Sequence, residues 1–227
     1  MTERPMTERD VRIRVGSNDV IHGDLVLPDD ASGLVVFAHG SGSSRRSPRN
    51  RRVAAALQHR GFATLLFDLL SGAEDDVDQQ TGQLRFDIGL LAERLERAVG
   101  FVDDNPMTAR LPVGLFGAST GAPAALTAAA RRPERIAAVV SRGGRPDLAG
   151  VALAAVRAPT LLIVGGRDQL VLDLNQHAAG RLRCTHELVV VPDATHLFEE
   201  PGALAEVARL AGDWFATHLP VAQDAVS

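Results

Sequence analysis

The chain has 227 residues, of which 45% are hydrophobic and 23% charged, with a formal net charge of −4. That length suffices for one substantial core and fits a single α/β domain better than two small ones, while the negative balance argues against a general affinity for nucleic acid or anionic membranes. All 24 basic residues are arginine and tyrosine is absent, which removes a lysine Schiff base, a P-loop lysine and the tyrosine–lysine pair of short-chain reductases.

The polar start, residues 1–10, has no apolar run of the signal type, and no stretch approaches membrane-spanning length, so a cytoplasmic protein is expected. Residues 1–10 read as a flexible N-terminus, 11–219 as one domain and 220–227 as a flexible tail. Val11–Val15 and Val20–Leu27 alternate apolar and polar residues around the turn at 16–19 and predict an antiparallel hairpin. Leu34–Ala38 is a continuous apolar run, as in a parallel strand covered on both faces, and it leads into His39-Gly-Ser-Gly-Ser-Ser44. Ser47-Pro48 is a helix start for 49–60, with Gly61 as its stop. Phe62–Phe67 predicts a buried strand ending at Asp68, an acidic loop follows to about Gly82, and apolar residues at helical spacing predict a helix over 84–102. Further strands are expected at 111–118, 136–140, 160–164 and 187–191, and helices after Gly121 and near 147–156, 173–182 and 202–218. Strands alternating with helices at this spacing predict a three-layer, doubly wound, mostly parallel sheet with an antiparallel N-terminal hairpin. The interval between residues 140 and 160 is too short for an inserted helical lid, so an open site is expected.

The strand at 111–118 runs into Gly117-Ala-Ser119-Thr-Gly121 and then an alanine-rich helix. This is a G-x-S-x-G pattern, in which small residues flank the serine because the strand turns sharply into the helix. Asp168 lies just beyond the strand at 160–164, in Gly165-Gly-Arg-Asp168, and His196 just beyond the next, in Ala194-Thr-His196. Loops at the carboxyl ends of neighbouring parallel strands can meet there. A histidine within reach of the serine hydroxyl, held by an acid, is what nucleophilic catalysis requires, so Ser119, His196 and Asp168 are the candidate catalytic residues. Asp147 competes with Asp168 as the acid. Backbone N–H groups of Thr120 and of the His39-Gly40-Ser41 loop are candidates for an oxyanion hole, with Ser41 favoured over Gly40. His39 itself reads as a hydrogen-bonding residue behind that loop.

These motifs and their order, Ser119 then Asp168 then His196, make the chain resemble the α/β-hydrolase superfamily, specifically its lidless dienelactone-hydrolase-like branch, over about 11–219. The resemblance implies a serine hydrolase acting on a small carboxylic ester or lactone. Dienelactone hydrolases proper use a cysteine where this chain has Ser119, which shifts the expectation from the dienelactone to serine-esterase chemistry. Relatives of this subgroup also occur fused to phosphoribosyltransferase-like domains, which names such a domain as a partner. A hydrolase fold kept as a non-catalytic binding or regulatory domain is the alternative, and a thioesterase or acyltransferase would use the same triad. Monomer and dimer are both left open.

Arg45, Arg46, Arg49, Arg51 and Arg52 crowd the helix after the oxyanion loop, and Arg142 and Arg145 sit in a glycine-rich stretch beyond another strand. Gly40, Arg45 and Arg142 are the candidate substrate-binding residues, the arginines for an anionic group. Salt bridges to Glu74, Asp75, Asp76 and Asp78 compete with that role. Cys184, the single cysteine, excludes an internal disulfide and any multi-cysteine zinc site, and no metal or organic cofactor is expected. Gly40-Ser-Gly42-Ser-Ser-Arg45 also resembles a dinucleotide fingerprint, but arginine stands where the third glycine belongs and a hairpin precedes the strand.

Overall fold

The computed structural model describes residues 5–17 and 19–219. Residues 1–4, Asn18 of the expected turn and the expected tail at 220–227 lie outside the described residues. Eight strands, β1 (Met6–Arg14), β2 (Val20–Pro28), β3 (Gly33–Ala38), β4 (Phe62–Phe67), β5 (Val113–Ala118), β6 (Ile136–Arg142), β7 (Thr160–Gly165) and β8 (His186–Val191), form one sheet in the order β1-β2-β4-β3-β5-β6-β7-β8. β2 pairs antiparallel with β1 and with β4, and every other pairing is parallel. The parallel sheet with its antiparallel hairpin is the architecture expected from the sequence. β1 starts at Met6 and pairs with Pro28, so ordered structure begins inside the stretch expected to be flexible.

Among the described residues six α-helices cover the faces: α1 (Pro48–His59), α2 (Gly72–Thr81), α3 (Ile88–Asp104), α4 (Gly121–Arg131), α5 (Gln169–Ala179) and α6 (Ala203–His218). The central strands are apolar throughout because alternate residues enter different cores. Val36 and Leu115 face the side of Leu95 and Ala125, whereas Val35, Phe37 and Phe116 face the side of Val53 and Phe215. No helix among the described residues is long and apolar enough to cross a membrane.

Several elements differ from expectation. The acidic stretch after Asp68 is helix α2, started by a capping box in which Ser71 accepts from the Glu74 N–H and Glu74 accepts from the Ser71 N–H. The helix expected over 84–102 is broken: Leu84–Phe86 is a 3-10 turn, and Asp87 caps α3 by accepting from the Leu90 N–H at 3.0 Å. β6 runs two residues beyond its apolar core, because Ser141 and Arg142 still pair with Leu162 and Ile163 of β7. Pro146–Ala155 is a 3-10 helix kinked at Gly150.

Candidate active site

β5 ends at Ala118, and Ser119 turns the chain with φ of 51°, a left-handed conformation that costs a serine about 1–3 kcal/mol. The flanking glycines are dictated by contact. A Cβ on Gly117 would lie 2.6 Å from the Gly121 carbonyl oxygen, and one on Gly121 would lie 2.6 Å from the His39 carbonyl oxygen and nearer still to that of Ala38. Helix α4 therefore packs backbone to backbone on the end of β3, which sets Ser119 beside the His39-Gly40-Ser41 loop. A Cβ on Gly40 would stand 3.0 Å from Ser119 Cβ.

His39 holds that loop. Its Nδ1–H donates to the Gly40 carbonyl (2.9 Å), and its Nε2 accepts from the Leu69 N–H (3.1 Å). The Gly40 oxygen also accepts from the Ser43 N–H at 3.2 Å. Because the trans peptide directs the next N–H the opposite way, the Ser41 N–H points away from those donors. Burial lowers the His39 pKa below its ordinary 6.5, against the opposing Gly40 hydrogen bond and the charges of Asp68 and Asp75. A lowered folded pKa means the unfolded chain binds the proton more tightly. The neutral ring's contribution to stability is therefore complete above pH 6.5 and is lost as the pH falls through the lower folded value. Thermal melts from pH 7.5 down to 5 are expected to fall more steeply for wild type than for His39→Gln.

The acid and the histidine meet across the ends of β7 and β8. The Gly166 N–H donates to Val191 O and the Arg167 N–H to Ala194 O, both at 2.9 Å, which locks the two strand exits together. His196 Nδ1 lies 2.6 Å from Asp168 Oδ2. Asp168 is the half-in residue ahead of α5, which thus begins earlier than the 173 expected. The rival acid, Asp147, accepts two bonds from Arg145, at 2.9 and 2.8 Å, and is spoken for. No hydrogen bond joins Ser119 Oγ to His196 among the described residues. Free enzymes often hold that contact long and tighten it around substrate.

One short segment touches all three loops. Arg142 O accepts from the Ser119 N–H at 3.2 Å, and the Gly143 N–H donates to Ile163 of β7 at 2.8 Å. A Cβ on Gly143, whose φ is 52°, would meet His196 O at 3.2 Å and His196 Cε1 at 3.7 Å. The fully buried Asn175 of α5 donates to Gly144 O at 2.9 Å. Sequence reasoning passed over Asn175, because an asparagine inside a helix carries no motif.

The arginines divide differently from expectation. Arg45 lines the cavity next to the oxyanion loop, but its guanidinium is bound to Asp68 and Asp24. Asp68, at the end of its strand, is thus a structural partner of Arg45. Arg49 pairs with Glu199 at 3.0 Å, and the acidic stretch is met instead by Arg85 and Arg94. Arg142 belongs to β6 and not to a loop beyond it, so its side chain is buried with Cζ 5.9 Å from the centre of the Phe198 ring. Burial and the nearby charge of Arg49 bring its pKa down to about 10, so it stays charged at neutral pH. Its Nε and Nη1 have no hydrogen-bond partner among the described residues, and the ring face offsets part of that cost. Arg142 does not line the cavity beside Ser119.

Residues 31–206 match the alpha/beta hydrolase domain family. The chain belongs to the α/β-hydrolase superfamily. Among solved structures, this hydrolase is similar to a dienelactone hydrolase from Anabaena variabilis, at 57% identity and a TM-score of 0.92, covering 94% of this chain and 99% of that one. It is thus closely related to the dienelactone-hydrolase-like branch. An esterase from Pyrococcus furiosus, 21% identical, shares the fold with a TM-score of 0.75 over 94% of this chain and 92% of that one. A Mycobacterium tuberculosis protein named as a phosphoribosyl transferase is 57% identical over 215 residues, which are 95% of this chain and 47% of that protein. The hydrolase therefore spans about half the length of that curated relative.

Proposed function

We propose that this hydrolase cleaves a small carboxylic ester or lactone through an acyl-enzyme on Ser119. The observation that carries the reading is a serine held at φ 51° on the elbow, with a histidine–aspartate pair at 2.6 Å in the loops that adjoin it. Ser119 Oγ attacks the carbonyl carbon while His196 Nε2 takes its proton, and the carbonyl π pair moves onto oxygen. Asp168 fixes the tautomer by accepting from Nδ1–H and stabilises the imidazolium. The N–H groups of Ser41 and Thr120 stabilise the oxyanion, Thr120 standing where a helix start leaves N–H groups unpartnered. Collapse expels the alkoxide, which takes the proton from His196. Water then attacks the acyl-enzyme by the same steps and releases the acid.

The name of the Mycobacterium tuberculosis relative favours a second reading, a hydrolase fold serving as a binding partner in phosphoribosyl-transfer chemistry within a longer protein. The elbow and the His–Asp pair weigh for hydrolysis. Labelling with a fluorophosphonate, mapped by mass spectrometry beside turnover of p-nitrophenyl acetate and butyrate, separates the two. Modification at Ser119, with turnover lost in Ser119→Ala, is expected. An unlabelled serine and equal turnover in both proteins would move the function to binding. Thioester substrates and added acceptor alcohols test the thioesterase and acyltransferase forms of the same chemistry.

A further inference from the structure

A cavity of about 340 Å³ opens beside the elbow, at the small end of ligand sites. Gly40, Ser41 and Thr120 form its wall nearest Ser119, while Ile21, Leu69 and Leu91 supply buried apolar surface. A carbonyl held by the Ser41 and Thr120 N–H groups therefore extends one substituent into this space.

The charged wall of the cavity is matched within itself. Arg45 directs Nε to Asp24 at 3.3 Å and Nη1 to Asp68. Arg85 directs Nε to Asp78 Oδ2 at 2.6 Å and Nη2 to the Asp78 carbonyl at 2.9 Å. The Asp78 side chain is only 3% exposed; burial pulls its pKa up, but the backbone and guanidinium hydrogen bonds from Arg85 hold it below the usual carboxylate range. Arg46 and Asp75, both exposed, add one charge of each sign. A guanidinium has five N–H donors, so Arg45 Nη2 and Arg85 Nη1 remain to donate. Arg85 Nη1 reaches the oxyanion loop, 3.9 Å from where a Cβ on Gly42 would stand. The wall thus offers hydrogen-bond donors without a net positive charge. An anionic group entering it loses hydration and meets guanidinium groups already paired with aspartates. A neutral oxygen accepts from the same N–H groups at a far smaller desolvation cost.

We infer that this cavity takes the acyl part of the substrate and selects an uncharged, oxygen-bearing acyl group of the hydroxy- or oxo-acyl class, in place of the anionic group that the arginine-rich sequence led us to expect. The inference rests on the ester-hydrolase reading above. Three p-nitrophenyl esters, butyrate, 3-hydroxybutyrate and hemisuccinate, are compared by kcat/KM. In wild type, 3-hydroxybutyrate exceeds butyrate several-fold, and hemisuccinate falls about tenfold or more below butyrate. Asp78→Asn leaves the Arg85 charge unmatched and raises the hemisuccinate-to-butyrate ratio about tenfold. Arg85→Met removes the spare donor and abolishes the preference for 3-hydroxybutyrate; because it also strands the Asp78 carboxylate, which is 3% exposed, the double variant Arg85→Met with Asp78→Asn serves if either single variant does not fold. Calorimetric titration of Ser119→Ala with the methyl esters of the same three acids reads the ranking as Kd without turnover. A failed serine reaction and a failed pocket preference are thereby told apart. Hemisuccinate equal to or better than butyrate in wild type, equal binding of the three methyl esters, or ratios unmoved in the variants would overturn the inference.

Discussion

Ser119→Ala is expected to lower kcat for p-nitrophenyl butyrate by about 10⁶-fold and Asp168→Asn by about 10⁴-fold, with KM for both within about threefold of wild type. The grading follows from what each residue supplies. On the proposed mechanism, removing Ser119 Oγ leaves only binding and the oxyanion donors. Replacing Asp168 keeps the shape of the site, but an amide in its place permits the wrong imidazole tautomer at the 2.6 Å contact with His196 Nδ1. Unchanged KM is expected because neither group touches the part of the ester in the cavity. Asp147→Asn is the control: that carboxylate is held by Arg145 through two bonds, so its loss belongs to stability and not to kcat. A larger kcat loss for Asp147→Asn than for Asp168→Asn would exchange the two assignments.

Gly121→Ala should destabilise the fold by about 3 kcal/mol or more, a cost at the upper end for overpacking. At ~2–4 °C per kcal/mol for a chain of this size, the melting temperature falls by roughly 6–12 °C. The added methyl meets the His39 carbonyl at 2.6 Å and the Ala38 carbonyl closer still. Both are backbone atoms, so no rotamer change relieves them; either α4 lifts from β3 or the oxyanion loop moves. Calorimetry measures the first consequence. The second appears as slower fluorophosphonate labelling of Ser119 in the variant at temperatures where it remains folded. Gly72→Ala makes the contrast, since a Cβ there meets nothing within 4 Å, and its melting temperature is expected to hold or rise.

What the sequence made legible were the features written in local pattern. Buried parallel strands are continuous apolar runs, the elbow is a fixed spacing of small residues around Ser119, and Asp168 and His196 each follow such a run by a few residues. Helix α2 escaped because it has no apolar stripe: its Val77 is 52% exposed, and its one local signal was the Ser71-x-x-Glu74 capping box. The start of α3 was misread because Leu84 continues the apolar spacing past the cap at Asp87. The partners of the arginines lay beyond local reach. Arg45 finds Asp68 and Asp24 at separations of 23 and 21 residues, and Arg49 finds Glu199 at 150. Such pairings are set by strand order and by the packing of α1 against the His196 loop, neither of which a charge count contains. The same limit made a run of arginines look like an unmatched cation patch, when the fold had set Asp24 and Asp68 against Arg45 and Glu199 against Arg49.

The segment from Arg142 to Arg145 gives the site a thermodynamic character of its own. Ser119, the exit of β7 and the His196 loop all lean on four consecutive residues, through Arg142 O, the Gly143 N–H and the close face of Gly143, and Asn175 ties the same segment to the helix that begins after Asp168. Local opening of this segment therefore reaches both groups: the stretch that lies against the histidine also carries the acceptor of the Ser119 N–H. With the proposed catalytic groups hanging on separate strand ends, that shared contact carries the rigidity of the sheet to Ser119 and His196.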